Sequence, residues 1–133
     1  MKISTRGRYG LRAMVEIALV KEGHISLKNI AERQGISESY LEQLIAPLKK
    51  AGFVKSERGS LGGYSLAKDP GSITAGDILR TLEGDLRPTD CYIVNPELEC
   101  EKGTGCTTQI VWQKIADSIN EVVDSIMLSD LLK

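Results

Sequence analysis

Apolar residues recur every three or four positions through residues 26–52, with one short interruption. Leu27, Ile30 and Ala31 have the spacing of one face of a helix over residues 27–34. Gly35 follows directly, as expected where a helix ends in a left-handed turn. A second apolar stripe then begins, and it consists of Leu41, Leu44, Ile45 and Leu48. Two helices joined by so short a turn form a helix-turn-helix, whose second helix can lie in the major groove of DNA.

Serine residues mark the start of that second helix. Ser39 and Glu42 have the spacing of a capping box, in which a hydroxyl and a carboxylate bond to the unpaired amides of the first helical turn. Ser37 is the alternative first residue.

The stretch after the second helix changes from helical spacing to alternation. Residues 53–57 and 63–67 alternate well enough to predict two short strands, and a glycine-rich loop with Arg58 and Ser60 separates them. That is the shape of a wing, whose basic tip can press against phosphate or enter a minor groove. The alternative is a helical hairpin and a β-hairpin that merely pack together.

Two further helices flank this unit. An apolar-rich helix is predicted over residues 6–21, with Gly23 as its end, and Arg6, Arg8 and Arg12 crowd its start. Cations at a helix N-terminus oppose the helix dipole, so they indicate either phosphate contact or solvated charge. Thr74 is expected to cap a short helix that ends near residue 82. His24, the only histidine, is expected to be a solvated loop side chain.

A last helix is predicted over residues 107–127. Its apolar positions have a 3-4-3-4 spacing, and they are Trp112, Ile115, Ile119, Val122 and Ile126. A seam of this period favours a coiled-coil-like contact with a second copy of the chain. The alternative is an ordinary amphipathic helix that packs against its own chain.

Charge divides the chain into two halves. The 133 residues carry a net charge of −1, but residues 1–68 hold 12 Lys+Arg against 6 Asp+Glu, and residues 69–133 hold 5 against 12. A front half at +6 and a back half at −7 indicate that only the front faces a polyanion. We see no signal peptide and no apolar run long enough for a membrane span, so a cytoplasmic location is expected.

All three cysteines fall in or at the end of an acidic stretch with little periodicity, residues 84–106. Cys91, Cys100 and Cys106 are separated by eight and five residues, which matches neither the paired spacing of zinc sites nor the ferredoxin spacings. Three soft thiolates in one glycine-bearing loop can hold a metal or a cluster, or they can be unrelated thiols. The sequence shows no acid–base pair, activated nucleophile or phosphate loop of the kind that would indicate an enzyme.

These stretches resemble one family, the bacterial winged-helix transcriptional regulators that include IscR, NsrR and CymR. The likeness covers residues 1–10, 30–70, 73–84 and the last helix. It implies a mainly α fold: a winged helix-turn-helix domain with a small β-hairpin wing (1–83), a cysteine-bearing loop (84–106), and a long dimerisation helix and tail (107–133). It also implies a homodimer that binds double-stranded DNA. The implied DNA contacts are Ser39, Glu42 and Arg58, with Tyr40, Gln43, Arg8 and Ser60 beside them.

The cysteine loop most resembles the IscR branch, which implies an iron–sulfur cluster of the 2Fe-2S type on Cys91, Cys100 and Cys106. The expected function is then a repressor or activator that senses cluster status and controls cluster-assembly genes. Three features depart from the cluster-binding pattern. The gap between the first two cysteines is longer than in IscR-like proteins, Gln109 stands where those proteins place a histidine, and Arg8 stands where NsrR-like proteins can recruit an acidic residue. The fourth ligand is therefore open, with these candidates: Asp90, Glu97, Glu99, Gln109 and an exogenous thiol.

Two alternatives remain. The N-terminal half most resembles the CymR branch, which lacks the cysteine cluster, so the chain can be a cluster-free regulator of cysteine and sulfur metabolism that uses thiols or a partner protein. The other alternative belongs to a different class, an iron–sulfur redox protein or electron carrier.

Overall fold

The computed structural model describes residues 2–89 and 107–132. Over these two ranges the chain is mainly helical, with one antiparallel hairpin. The elements in chain order are α1 (Thr5–Ala18), α2 (Leu27–Gln34), α3 (Glu38–Lys50), β1 (Val54–Glu57), β2 (Gly63–Leu66), a 3-10 turn (Pro70–Ser72), α4 (Ala75–Glu83), α5 (Gln109–Asp124) and a second 3-10 turn (Leu128–Leu131).

One aliphatic core joins α1, the helix-turn-helix and α4. Each of these helices contributes the apolar face that its spacing predicts, and among the described residues no buried side chain is polar or charged. The largest fully buried side chains are Met14, Ile17, Ile30, Leu41, Leu44, Ile45, Leu48, Ile73, Ile78 and Leu128.

Helices α1 and α4 approach closely at two glycines of α1. A Cβ atom on Gly10 would lie 2.1 Å from Cδ1 of Leu82, and one on Gly7 would lie 2.6 Å from Oε1 of Glu83. Glu83 also caps α1: its Oε1 accepts hydrogen bonds from the backbone N–H of Ser4 over 3.1 Å and of Gly7 over 2.9 Å. A carboxylate from the end of α4 therefore supplies the negative charge that favours a helix N-terminus.

The wing is a two-stranded hairpin whose register pairs Val54 with Leu66 and Glu57 with Gly63. The chain between α1 and α2 adds one more pairing, an isolated antiparallel bridge from Ile25 to Tyr64 of β2. Strand β2 is thus paired on both edges at Tyr64, with Ser56 of β1 on one side and with Ile25 on the other.

Three local predictions need correction. The cap of α3 is Ser37, whose hydroxyl accepts from the N–H of Tyr40 over 3.1 Å, so the Ser39–Glu42 capping box is wrong. Helix α1 ends at Ala18 instead of residue 21, with Leu19 as its C-cap. The predicted last helix, 107–127, is three residues shorter at its C-terminus and begins at Gln109.

The early end of α5 has a physical cause. The carbonyl of Ile126 accepts from the N–H of Ala75 over 2.8 Å, and the N–H of Leu128 donates to Ile73 over 2.8 Å. The chain after Ser125 is thereby held extended against the start of α4, so Ile126 lies outside the helix. No helix in the described ranges is long and apolar enough to cross a membrane.

Candidate nucleic-acid interface

The helix-turn-helix presents a polar, exposed face at the start of α3. Gly35 ends α2 in a left-handed conformation, with φ of 67°, and Ser37 begins the next helix. Ser39, Glu42 and Gln43 are exposed, while the opposite face of α3 is buried in the core. The Ser39 hydroxyl does not cap α3, so this polar side chain stays available to an external ligand.

Tyr40 is less exposed than the neighbouring polar residues of α3. It is half-buried, and its ring packs edge-to-face with Tyr9 of α1, with ring centroids 6.4 Å apart. The Arg12 guanidinium lies 5.5 Å from the centroid of the Tyr9 ring. The start of α1 therefore lies beside the start of α3, and exposed Arg8 belongs to the same helix.

The wing tip is the other exposed polar element. Residues 58–62 join β1 to β2, and Arg58 and Ser60 are both exposed there. Gly59 has a φ of 107°, a conformation that side-chain-bearing residues rarely adopt, and its carbonyl accepts from the N–H of Gly62 over 3.0 Å. The tip is a tight glycine turn that carries one cation.

Electrostatics connects the wing to α3. Burial raises the pKa of Tyr64 above its ordinary value of 10.0, and the negative charge of Glu42 raises that pKa further. Glu42 must lie near Tyr64 for its charge to act on the phenol. The side chain predicted to read bases on α3 and the strand leading from the wing tip therefore lie on one side of the molecule.

Two side chains that position this surface were not recognised from the sequence. Glu83 caps α1, which bears the arginine cluster, and the only advance signal was a carboxylate at the end of a helix. His24 was expected to be solvated, but it is half-buried and its Nε2 contacts the backbone carbonyl of Leu61 in the wing. No local pattern marks either contact, because both join residues far apart in the chain.

Helix α5 leaves much of its apolar surface uncovered. Ala116 is its only buried residue within the described chain, and it marks the side that packs on α4. Val111, Ile115 and Val122 are exposed by 46%, 38% and 57%. With half-buried Ile119 they form a strip along one side of the helix, which we call the apolar strip. Trp112 and Ile126 are half-buried, so they are shared between this strip and the chain's own packing.

The predicted cluster ligands cannot be placed. Cys91, Cys100 and Cys106 lie outside the described residues, as do the candidate fourth ligands Asp90, Glu97 and Glu99. Gln109 is described and is half-buried as the first residue of α5. Within residues 2–89 and 107–132, no group of three His, Cys, Asp or Glu side chains could hold a metal ion. The iron–sulfur site stays a prediction.

The α4–α5 side of the molecule carries a polar network at the base of the cysteine loop. Arg80 donates from Nη1 to Oδ1 of Asn120 over 2.8 Å and also pairs with Asp124. The Asn120 amide donates in turn to the carbonyl of Leu86 over 3.1 Å. One network thus joins α4, α5 and the start of the cysteine-bearing stretch, residues 84–106.

Comparisons with known proteins all point to one family. The Rrf2 family, described as "Iron-dependent Transcriptional regulator", matches residues 3–133. The HTH-type transcriptional regulator CymR of Bacillus subtilis strain 168 is 49% identical over 98% of this chain and 89% of its own length. The HTH-type transcriptional regulator IscR of Aliivibrio salmonicida is 40% identical over 99% of this chain and 77% of its own.

Solved structures agree with the sequence relatives. The structure of CymR, the global cysteine regulator of B. subtilis, matches with a TM-score of 0.79 and 48% identity over 99% of this chain and 96% of that one. The structure of T. potens IscR matches with a TM-score of 0.80 and 51% identity over 99% and 86%. These matches confirm the predicted winged-helix fold and the predicted family, and they include members of both the CymR and the IscR branches.

Proposed function

Because the chain belongs to the Rrf2 family of transcriptional regulators, we propose that it binds operator DNA as a homodimer and regulates genes of cysteine and sulfur metabolism. The observation that carries this proposal is the match with CymR, at 49% identity over 98% of this chain and 89% of CymR. The T. potens IscR structure is similar in identity, at 51%, but this chain covers 86% of it against 96% of the CymR structure. CymR of B. subtilis is a global cysteine regulator. The relatives are regulators rather than enzymes, so no catalytic step is proposed.

In the proposed complex, α3 enters the major groove and the wing lies over the adjacent minor groove. Ser39 and Gln43 contact phosphates or base edges, and Glu42 accepts a hydrogen bond from the amine of cytosine. Arg58 enters the minor groove from the wing, with Ser60 beside it. The exposed positions of these side chains and the closeness of Glu42 to the wing support this assignment.

Tyr40 and Arg8 are assigned supporting contacts. Tyr40 packs edge-to-face on Tyr9 and is half-buried, so its exposed part is open to the DNA backbone. Arg8 extends the basic surface along α1, where phosphate contact explains cations at a helix N-terminus. The front half of the chain, at +6, supplies the electrostatic attraction.

The second copy in the proposed homodimer covers the apolar strip of α5. An exposed run of β-branched side chains on one helix face costs free energy in water, and a two-fold contact between two such helices removes it from solvent. A dimer also places two copies of α3 for two operator half-sites, as helix-turn-helix proteins do.

The DNA-binding proposal is tested by affinity as a function of salt. The logarithm of the association constant should fall by about 0.9 per neutralised phosphate for each unit of log salt. Glu42→Ala should lose its preference at one base pair in each half-site, whereas Glu32→Ala, an exposed glutamate of α2, should keep every preference. A flat salt dependence contradicts DNA binding, and an unchanged preference in Glu42→Ala contradicts its role as a base reader.

A second candidate function, sensing through an iron–sulfur cluster, is favoured by the three cysteines. Cys91, Cys100 and Cys106 would hold the cluster through soft thiolates, the usual ligands of iron–sulfur centres. When bound, the cluster would supply a group sensitive to oxidants and to iron supply. Among the described residues, Gln109 is the only candidate fourth ligand, and its amide is a poor donor to iron.

Iron analysis separates the two candidates. The cysteine-metabolism proposal expects operator binding in protein free of iron, whereas cluster sensing expects iron and sulfide after anaerobic purification and their loss in Cys100→Ala. Gln109→His restores the histidine found in the IscR branch, so it should strengthen iron retention if a cluster forms. Colourless protein that takes up no iron on reconstitution, even as Gln109→His, contradicts cluster sensing.

A further inference from the structure

The connection between α1 and α2 is fastened to the wing at two consecutive residues. The N–H of Ile25 donates to the carbonyl of Tyr64 over 2.9 Å, and the N–H of Tyr64 donates to the carbonyl of Ile25 over 2.8 Å. Beside this bridge, Nε2 of His24 meets the carbonyl oxygen of Leu61. A carbonyl oxygen only accepts hydrogen bonds, so Nε2 of His24 carries the donated hydrogen. The wing tip therefore has an anchor outside its own hairpin.

Gly63 makes this close approach possible. A Cβ atom at position 63 would lie 2.3 Å from the carbonyl oxygen of Ile25, a distance that would force the connection away from the strand. With glycine there, the connection lies directly against β2 and His24 comes within reach of the tip. The anchor therefore depends on the close packing of the backbone at Gly63 as well as on the imidazole of His24.

The residue held by His24 carries an unusual side chain for its position. Leu61 is 87% exposed, the largest value among the large apolar side chains of the described chain. It lies in the same glycine turn as Arg58, between Gly59 and Gly62. Its carbonyl is bonded to His24 while its side chain contacts solvent. An apolar side chain at the tip of a DNA-facing loop can act as a wedge in a minor groove.

We propose that His24 is a positioning residue of the wing, which fixes the backbone at Leu61 so that the leucine side chain enters the minor groove together with Arg58. The proposal rests on the DNA-binding function proposed above. A leucine fixed in this way should make the protein select among the base pairs that lie beneath the wing tip. Guanine places an exocyclic amine on the floor of the minor groove and an A·T pair does not. A leucine held in a fixed place is obstructed by that amine.

The probe for this proposal is the duplex that the wild-type protein selects from a random DNA library. Each base pair is changed in turn to G·C and to inosine·C, because inosine lacks the minor-groove amine and leaves the major-groove edge of guanine unchanged. The measured quantity is the ratio of the two dissociation constants, Kd for G·C over Kd for inosine·C. The wild type should give a ratio above one at the positions beneath the wing and close to one beneath α3.

His24→Ala should lower the wing ratio by about two- to tenfold, the range that one intramolecular hydrogen bond contributes. The preference read by α3 should not change, which a general loss of structure could not produce. His24→Gln should restore the ratio, because its amide N–H can reach the same carbonyl. Glu22→Gln changes an exposed residue of the same connection and should leave the ratio as it is.

Leu61→Ala provides an independent measurement, since its exposed side chain lies outside the core. It should lower the wing ratio to the same extent, and His24→Ala combined with Leu61→Ala should lower it no further. These results, with His24→Gln, decide the matter even if His24→Ala unfolds. A wing ratio that is one in the wild type, or that stays unchanged in Leu61→Ala or His24→Ala, overturns the proposal. Failure to select any duplex contradicts the DNA-binding function instead.

Discussion

In the body formed by α1–α4 and the wing, the apolar stripes of the helices meet one another, whereas α5 buries only Ala116 among its described residues. The two regions have similar apolar spacing in sequence. In the body, that spacing ends in a closed aliphatic core with no buried polar side chain within the described ranges. On α5, the same spacing leaves Val111, Ile115 and Val122 exposed.

Apolar periodicity does not by itself determine how much of a helix face is buried. A stripe at helical spacing shows that one face of a helix favours burial, but it does not show which surface covers that face. Glycines allow close approach in both regions: Gly10 lets α1 come close to α4, and a Cβ on Gly76 of α4 would lie 2.1 Å from Oδ1 of Asp124 in α5. The regions differ in how much of each helix is covered. On α5 the contact with α4 is limited to one side, and the apolar strip is left for another surface.

The largest expected effect belongs to α5. Val122→Asp should make the protein monomeric, because a dimer would bury an unpaired charge, which costs several kcal/mol. The thermal unfolding of the body should change little, since Val122 is 57% exposed in the single chain. Analytical ultracentrifugation and calorimetry measure the two quantities.

Gln113→Glu is the matched control, because it adds one negative charge to an exposed position of α5 away from the apolar strip. The control should keep the wild-type oligomeric state. A Val122→Asp protein that sediments as wild type does would show that the strip is not the main contact between subunits.

The next effect is smaller and concerns the α1–α4 contact. Gly10→Ala places a methyl group where Leu82 lies, and overpacking of this kind costs typically about 1–3 kcal/mol. The higher helix propensity of alanine recovers at most about 1 kcal/mol, so we expect a net loss in the free energy of unfolding. Chemical denaturation measures it.

A double-mutant cycle isolates the contact. Leu82→Ala opens space beside residue 10, so Gly10→Ala should cost much less in that background than in the wild type. Equal costs in both backgrounds would mean that the two helices do not approach as closely as the fold requires.

The cap on α1 should contribute less again. Glu83→Ala removes the acceptor of the Ser4 and Gly7 amides, and a carboxylate at a helix N-terminus is worth about 0.3–1 kcal/mol. The stability loss should shrink in high salt. Asp85→Ala, which removes an exposed acid two residues later, should show no comparable loss.

Local chemistry explains which parts of the body could be predicted. Ser26 and Thr74 cap the starts of α2 and α4, and Gly35 ends α2, each through hydrogen bonds to residues three or four positions away. The helix-turn-helix and the start of α4 therefore follow from spacing. The start of α3 was harder, because Ser37 and Ser39 both fit a cap and only backbone geometry selects Ser37.

The contacts missed from the sequence join distant residues. Glu83 caps a helix that begins 78 positions earlier at Thr5, and His24 meets Leu61 across the wing. The early end of α5 likewise depends on the pairing of Ile126 with Ala75. Such contacts depend on how elements pack, which hydrophobic spacing alone does not determine.

The smallest expected effect concerns Tyr64, a residue of the wing. Burial, and then the charge of Glu42, raise the pKa of Tyr64 above 10.0, so the folded protein keeps the phenol proton to higher pH than the unfolded chain does. Below pH 10 the folded and the unfolded protein both hold the phenol proton, so the contribution of Tyr64 to the free energy of unfolding is fully present. As pH rises past the unfolded value, the unfolded chain loses its proton first, so the free energy of unfolding falls. Tyr64→Phe should make this decline shallower above about pH 10. Glu42→Gln should do so to a lesser degree, because it removes only the second cause. Urea denaturation at several pH values measures the slopes, and identical slopes in wild type and Tyr64→Phe would mean that folding does not raise the pKa of Tyr64.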